Sequence, residues 1–269
     1  MKKVCIVLIL VSVLTGCARP MKALSFTDES DIYTFTWDAP DDAYLIQLRT
    51  EFELETLTAD CENDLQRVAA ITDWVHNLWE HDGSNEPEQP DPLSILREVR
   101  RGERVRCVEY AIVISGCLNA LGIPSRTVGL KMKDVETRKS GAGHVVAEAY
   151  IADLDKWIMA DGQWNIVPIA GGAPLNCVEL QKAIADQREI TTLGDTSESP
   201  ADYLEWIGPY LYYFDVKLDN RIAERDYYES LMLVPDGAKE PHVFQQKRPI
   251  EDMLYTHSPS AFYPNPEVR

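Results

Sequence analysis

One cysteine stands where it can do chemistry. Cys107 opens the apolar run Cys107-Val-Glu-Tyr-Ala-Ile-Val-Ile-Ser-Gly-Cys-Leu-Asn-Ala-Leu121, which follows the polar Arg104-Val-Arg106. The run predicts a buried helix, stopped by Gly122 in the left-handed position and by Pro124. A thiol in the first helical turn meets N–H groups without helical partners and the positive end of the helix dipole. Both favour the thiolate, so its pKa is expected below the free value of about 8.5. Arg104 and Arg106 add positive charge if they point the same way. A small buried core cysteine is the competing reading of this stretch taken alone.

Two downstream segments supply the missing chemistry. Gly141-Ala-Gly-His144-Val-Val-Ala-Glu-Ala-Tyr-Ile151 reads as a strand that begins at a histidine, and Lys156-Trp-Ile-Met-Ala-Asp161-Gly162 as a strand that ends in Asp-Gly. The four residues around Asp153 that separate them suit an antiparallel hairpin. With Tyr150 opposite Asp155, the register puts His144 opposite Asp161. Cys107, His144 and Asp161 are then a candidate nucleophile, base and orienting acid. Glu148 shares the face of His144 and is a second acid on that strand, with pairing inside the sheet as its other reading. Gln163 and Trp164 follow Asp161 closely and are placed at the cleft by proximity alone.

Four blocks carry a family resemblance: Cys107-Val-Glu-Tyr-Ala, Leu121-Gly-Ile-Pro-Ser-Arg-Thr-Val-Gly129, His144-Val-Val-Ala-Glu-Ala-Tyr150 and Trp157-Ile-Met-Ala-Asp161. In this order and spacing they resemble the transglutaminase-like superfamily over roughly residues 60–165. The resemblance implies an α+β fold with a papain-like core, its nucleophile helix packed on an antiparallel sheet. It also implies Cys107 as nucleophile, His144 as base and Asp161 as its partner, with no metal or organic cofactor. The superfamily includes peptidases, amidases, cross-linking transferases and silent members. The chain is therefore expected to act on a peptide, protein or cell-wall amide, with a catalytically silent scaffold as the alternative. Papain-like sites add a second oxyanion donor from upstream, and Asn85 or a neighbour in the polar loop 81–90 is the candidate by location, with an ordinary connecting loop as its other reading.

The chain begins with a segment of another kind. Lys2 and Lys3 precede the apolar Val4–Leu14 and then Leu14-Thr-Gly-Cys17. That is the pattern of a secretory signal, too short to span a bilayer comfortably. Leu-x-Gly-Cys resembles a bacterial lipoprotein cleavage box, implying cleavage before Cys17 and its lipidation. The expected location is the cell envelope, lipid-anchored on the periplasmic or extracellular face, at the outer membrane in an organism that has one. A net charge of −18 argues against nucleic acid as partner. The sequence is silent on oligomeric state. The secretory route permits disulfides, and Cys61–Cys177 is one pairing consistent with it. His76 and His81 are five apart, which does not put both on one helix face, so no metal site is read there.

The remaining elements should position these groups. The expected organisation is a signal peptide over 1–16, a spacer over 17–42, the catalytic core over 43–187 and a C-terminal extension over 188–269 that wraps the core. Ile32–Trp37 alternates like a short strand. Asp60 can cap a helix over about 62–81, with Leu65, Val68, Ile71, Val75 and Leu78 inward. Asp91 with Pro92 opens another helix, ended by Gly102. The charged loop 134–143 is a candidate rim or lid over the site, with a plain hairpin connection as its other reading. Asn176 with Glu179 caps a helix to about Gln187, and Ser199-Pro200 starts one that Gly208-Pro209 ends. Tyr210–Leu218 and Ser230–Val234 read as a strand pair.

Overall fold

A computed structural model describes residues 21–28, 31–193, 199–222 and 229–266. The signal segment and the expected lipidation site at Cys17 lie outside the described residues. The helices of the first half are α1 (Ala43–Glu51), α2 (Leu54–Leu57), α3 (Asp64–His76), α4 (Pro92–Val99) and α5 (Cys107–Ala120). The strands β1 (Ser125–Lys131), β2 (Gly143–Ile151) and β3 (Lys156–Ala160) follow. Next come β4 (Val167–Ala170), β5 (Ala173–Pro174), α6 (Cys177–Ala185), β6 (Thr191–Leu193) and α7 (Pro200–Ile207). The chain closes with β7 (Tyr213–Lys217), β8 (Ser230–Leu233), β9 (Val243–Phe244), β10 (Arg248–Pro249), β11 (Met253–Thr256) and α8 (Pro259–Phe262).

The main sheet has six strands in the order β11-β8-β7-β1-β2-β3. All its pairings are antiparallel except β11 with β8. The architecture is α+β, as expected. The C-terminal third does more than wrap the core, since it supplies β7, β8 and β11, half of this sheet.

Helix α5 is apolar on nearly every side because it is enclosed on nearly every side. It packs on β1 and β2 along one flank and against α1, α3 and α4 along the others. Val113, Ile114, Cys117, Leu118 and Ala120 are fully buried. Gly122 adopts φ +80°, which a side chain would resist, so the chain reverses there into β1. The crossing with α4 is close. A Cβ added at Gly116 would lie 2.3 Å from Cγ of Pro92, a ring that cannot swing away. Gly116→Ala is expected to destabilise the protein by about 1–3 kcal/mol through this overlap. Urea unfolding would measure it, and a loss under about 0.5 kcal/mol, the range of an ordinary surface change, would mean that α4 shifts without strain.

Several local signals are realised as read. Asp91 accepts from the Ser94 N–H with Pro92 in the first turn of α4. Asn176 and Glu179 form a reciprocal capping box on α6. Ser199 caps α7. Other expectations need correction. Helix α3 is capped by Asn63, not Asp60, and ends at His76, about one turn earlier than expected. Asn63 takes that role because its side chain accepts from the Gln66 N–H. The segment Ile32–Trp37 is not a strand. Only Thr36 makes a bridge, to Asp219, while Phe35 and Trp37 stack on each other and Trp37 on Trp157. Aromatic packing, not a ladder, produced that alternation. Helix α1, absent from the sequence reading, is capped by Asp42 and buries Leu45 and Leu48. The four described cysteines are all free, so Cys61 and Cys177 form no bridge.

Candidate active site

Cys107 occupies the first residue of α5, immediately after Arg106. Glu109 reaches back to accept the Arg106 N–H at 2.9 Å, which fixes where the helix begins. The arginines do not serve the thiol as expected. Arg106 is paired with Glu86 and Glu109, and Arg104 with Glu80. Their charge is taken chiefly by carboxylates; Arg106 keeps a weaker electrostatic interaction with Cys107, and the larger support for the thiolate comes from elsewhere.

That support comes from two imidazoles. Burial alone would push the Cys107 thiol up, but hydrogen bonds from His144 and from His81, with the Val145 N–H behind them, bring it down to about 6. His144 shows the opposite shift. Its burial favours the neutral ring, yet the Asp161 carboxylate and the Cys107 sulfur raise it to about 9. Between those two values the pair rests as thiolate and imidazolium.

The route by which these groups meet differs from the expected register. Tyr150 lies opposite Trp157 and Ala147 opposite Ala160, two residues along from the predicted alignment. The cause is the turn, where Ala152–Leu154 coils and Asp155 takes the left-handed conformation at φ +51°. A shift of two preserves the face of a strand. His144 and Asp161 therefore still share a face, in diagonal rather than opposed positions, and His144 Nε2 donates to Asp161 Oδ2 at 2.8 Å. The ladder between β2 and β3 starts only at Ala147, so the β3 side of residues 144–146 is open. Through that opening the start of α5 reaches Val145 and the His144 ring.

Asp161 is fully buried and held by four donors. Besides His144, Oδ2 accepts from the Tyr203 hydroxyl at 3.1 Å, and Oδ1 accepts from the N–H groups of Gln163 and Trp164. Burial and the adjacent carboxylate push the Tyr203 hydroxyl well above its ordinary pKa, so it remains a donor. The tight turn after Asp161 is pinned by α3, since His76 Nδ1 donates to the Gly162 carbonyl and Asn165 Nδ2 to Asp73. Gly162 must be a glycine for this turn to lie on α5. A Cβ there would come within 2.6 Å of the Ile114 side chain and 3.0 Å of Tyr110 Cβ.

Some functional neighbours escaped the sequence. Trp206 of α7 meets the His144 ring edge-on at 4.9 Å, and Trp164 packs on Trp206 at 4.9 Å. With Tyr203 and Tyr210 they wall the imidazole away from water. Nothing local in Ser199–Tyr210 marks that role, because it arises from packing α7 against the open face of β2. Trp164, expected at the cleft, packs on Tyr203 and Trp206, and Gln163 contributes its backbone N–H to Asp161. Glu148 is no second acid for His144, because it pairs with Arg126 inside the sheet at 2.9 Å. Asn85 is not available to substrate, because its amide donates to the Arg104 carbonyl and to Glu103. Loop 134–143 is tied down through Glu136 to Lys239 and the His242 N–H, and through Val135 to the Gln245 N–H. These contacts hold the loop in place, against the reading of it as a free lid.

Residues 54–162 match the family described as the transglutaminase-like superfamily, a span from α2 through Gly162 that contains Cys107, His144 and Asp161 but not Tyr203 or Trp206. No curated protein matches the chain. Among solved structures it is similar to a candidate cysteine protease from Cytophaga hutchinsonii, at 23% identity over 45% of this chain and 43% of that one, with a TM-score of 0.35. It is similar also to a candidate protease from Parabacteroides distasonis, at 18% identity over 57% of this chain and 30% of that one, TM-score 0.33. Red sea bream transglutaminase is a third, at 17% identity over 53% and 30%, TM-score 0.31. The chain thus spans less than half the length of each of these neighbours, and at these scores the likeness goes no further. Over residues 54–162 the chain matches the transglutaminase-like superfamily, and its fold is of the α+β class that this resemblance implies.

Proposed function

We propose that this protein is a cysteine enzyme that opens amide or peptide bonds through a thioester on Cys107. The observation that carries the reading is the thiol held near pKa 6 beside a buried His144 that is itself bound to Asp161. Cys107 Sγ attacks the carbonyl carbon and the carbonyl electron pair moves to oxygen. The backbone N–H at the start of α5 receives the oxyanion; such donors contribute about 3 kcal/mol each. As the C–N bond breaks, His144 gives its proton to the leaving amine. Water then attacks the thioester, His144 takes the proton from it, and the carboxylic acid leaves. An amine in place of water would make the reaction a transfer. We favour hydrolysis, by a peptidase or amidase, over cross-linking. The Leu14–Cys17 box supports a further proposal, a lipid anchor through Cys17 in the cell envelope and a peptide, protein or cell-wall amide as substrate. No helix among the described residues is long and apolar enough to cross a membrane.

The alternative, a catalytically silent scaffold, draws on one observation. Two cavities stand away from Cys107, one of about 410 Å³ near Arg49, Cys61 and Arg67, the other of about 60 Å³ beside Ser115 and Gly116. A peptide and amide library separates the readings. Mass spectrometry after acid quench should find an acyl adduct on Cys107 that hydroxylamine removes and that Cys107→Ala lacks. Intact library and unmodified Cys107 throughout would favour the scaffold.

A further inference from the structure

The sulfur of Cys107 interacts with two histidines, and only one of them is used above. His144 is buried and linked to Asp161. His81 is exposed, and its ring is within hydrogen-bond reach of the same sulfur. Its position is built, not incidental. The Asp82 N–H donates to the Val105 carbonyl at 2.9 Å, two residues before the nucleophile. Asn85 clasps the Arg104 carbonyl at 2.8 Å, and Glu80 pairs with Arg104 at 3.0 Å. The loop carrying His81 is thus stitched to the strand of chain that leads into α5.

His144 is buried and His81 exposed, so of the two rings that interact with the sulfur His81 is the one that a substrate carbonyl coming from solvent meets. When the S–C bond forms, negative charge leaves sulfur and collects on the carbonyl oxygen. A donor that was satisfied by the thiolate then has a new acceptor close by. Asn85, the other polar group expected from this loop, is committed to the backbone.

We propose that His81 is a further catalytic residue, an N–H donor that holds the Cys107 thiolate at rest and turns to the carbonyl oxygen during acylation. This rests on Cys107 being the nucleophile. His81 keeps its proton throughout. Sulfur supplies the electron pair of the new S–C bond, the carbonyl oxygen takes the π pair, and that pair returns as the leaving group departs.

The test uses two reagents on the full chain. Iodoacetamide alkylates sulfur without forming an oxyanion, whereas p-nitrophenyl acetate acylates it through one. In His81→Ala, acylation should fall about 100- to 1,000-fold beyond any change in alkylation, as expected for loss of an oxyanion donor. His81→Gln, which retains an N–H donor, should recover a substantial part. The melting temperature should not move, since the ring is exposed. Acylation and alkylation that fall together, or not at all, in His81→Ala would overturn the role of His81 while leaving Cys107 as nucleophile. Failure of the wild-type protein to be acylated at all would overturn both.

Discussion

His144→Ala should slow alkylation of Cys107 by iodoacetamide at pH 6 by more than tenfold, and should move the midpoint of the pH profile upward. The thiolate is the reacting species. In the wild-type protein the thiol titrates at about 6, so the rate should climb through that pH and then level. The imidazolium persists up to about 9, so the level stretch should extend until then. The sign follows directly: a lowered thiol pKa gives thiolate above it, a raised histidine pKa gives imidazolium below it, and the ion pair occupies the interval. Removing His144 takes away the strongest group lowering the thiol, and burial then drives it toward or above its ordinary 9.0. At pH 6 a shift from 6 to 9 leaves roughly 500-fold fewer thiolates. The greater nucleophilicity of a more basic sulfur offsets about 20-fold of that. Asp161→Asn should fall between the two proteins, because Asp161 is the main cause of the raised histidine. Identical profiles for wild type and His144→Ala would remove the ion pair, and with it the proposed chemistry.

Arg126→Met should be among the most destabilising single changes in the molecule, at about 3–5 kcal/mol, because it strands a buried carboxylate. Arg126 and Glu148 are both fully shielded from solvent. The guanidinium donates to Glu148 Oε2 through Nη2 at 2.9 Å and to the Phe262 carbonyl through Nη1 at 2.9 Å. It also lies over the rings of Trp157, Phe262 and Tyr263, at 4.3, 4.9 and 5.0 Å from their centroids. Glu148 accepts in addition from the Cys177 N–H and the Tyr263 hydroxyl. One ion pair therefore joins β1, β2, the start of α6 and the C-terminal α8. Without the arginine, Glu148 keeps two donors but loses its counter-charge in a place water does not reach. The double change Arg126→Met with Glu148→Gln should recover much of the loss, since the unpaired charge goes too. Urea midpoints for the three variants measure this. A loss below about 1 kcal/mol for Arg126→Met, the level of an exposed pair, would mean that water or rearrangement relieves the charge.

These two expectations draw unequally on the sequence. The first was legible in it. Cys107 at a helix start, His144 at a strand start and Asp161 at a strand end are local features, each marked by a neighbouring glycine, proline or change of hydrophobic period. Three such features in order already suggested one pocket. The second was half legible, since Glu148 could be assigned to sheet pairing but its partner, 22 residues away, could not be named.

What the chain determined by itself was whatever depends on a few consecutive residues. Asp91-Pro92, Asn176 with Glu179, Ser199-Pro200 and Gly122 set element ends because a cap or a left-handed turn is satisfied within four residues. Tertiary structure alone decided what depends on distant groups. The register of β2 against β3 turned on the conformation of Asp155, and its two-residue shift spared the site only because strands repeat every second residue. Arg104 and Arg106 looked like the main support for the thiolate, but the fold brings Glu80, Glu86 and Glu109 to them and leaves Arg106 only a minor interaction with Cys107. His81, Tyr203 and Trp206 carry no local mark of proximity to the thiol, the carboxylate and the imidazole. Each gets there through hydrogen bonds and packing that close long loops, and a linear pattern records the residues at both ends of such a loop but not the fact that they meet.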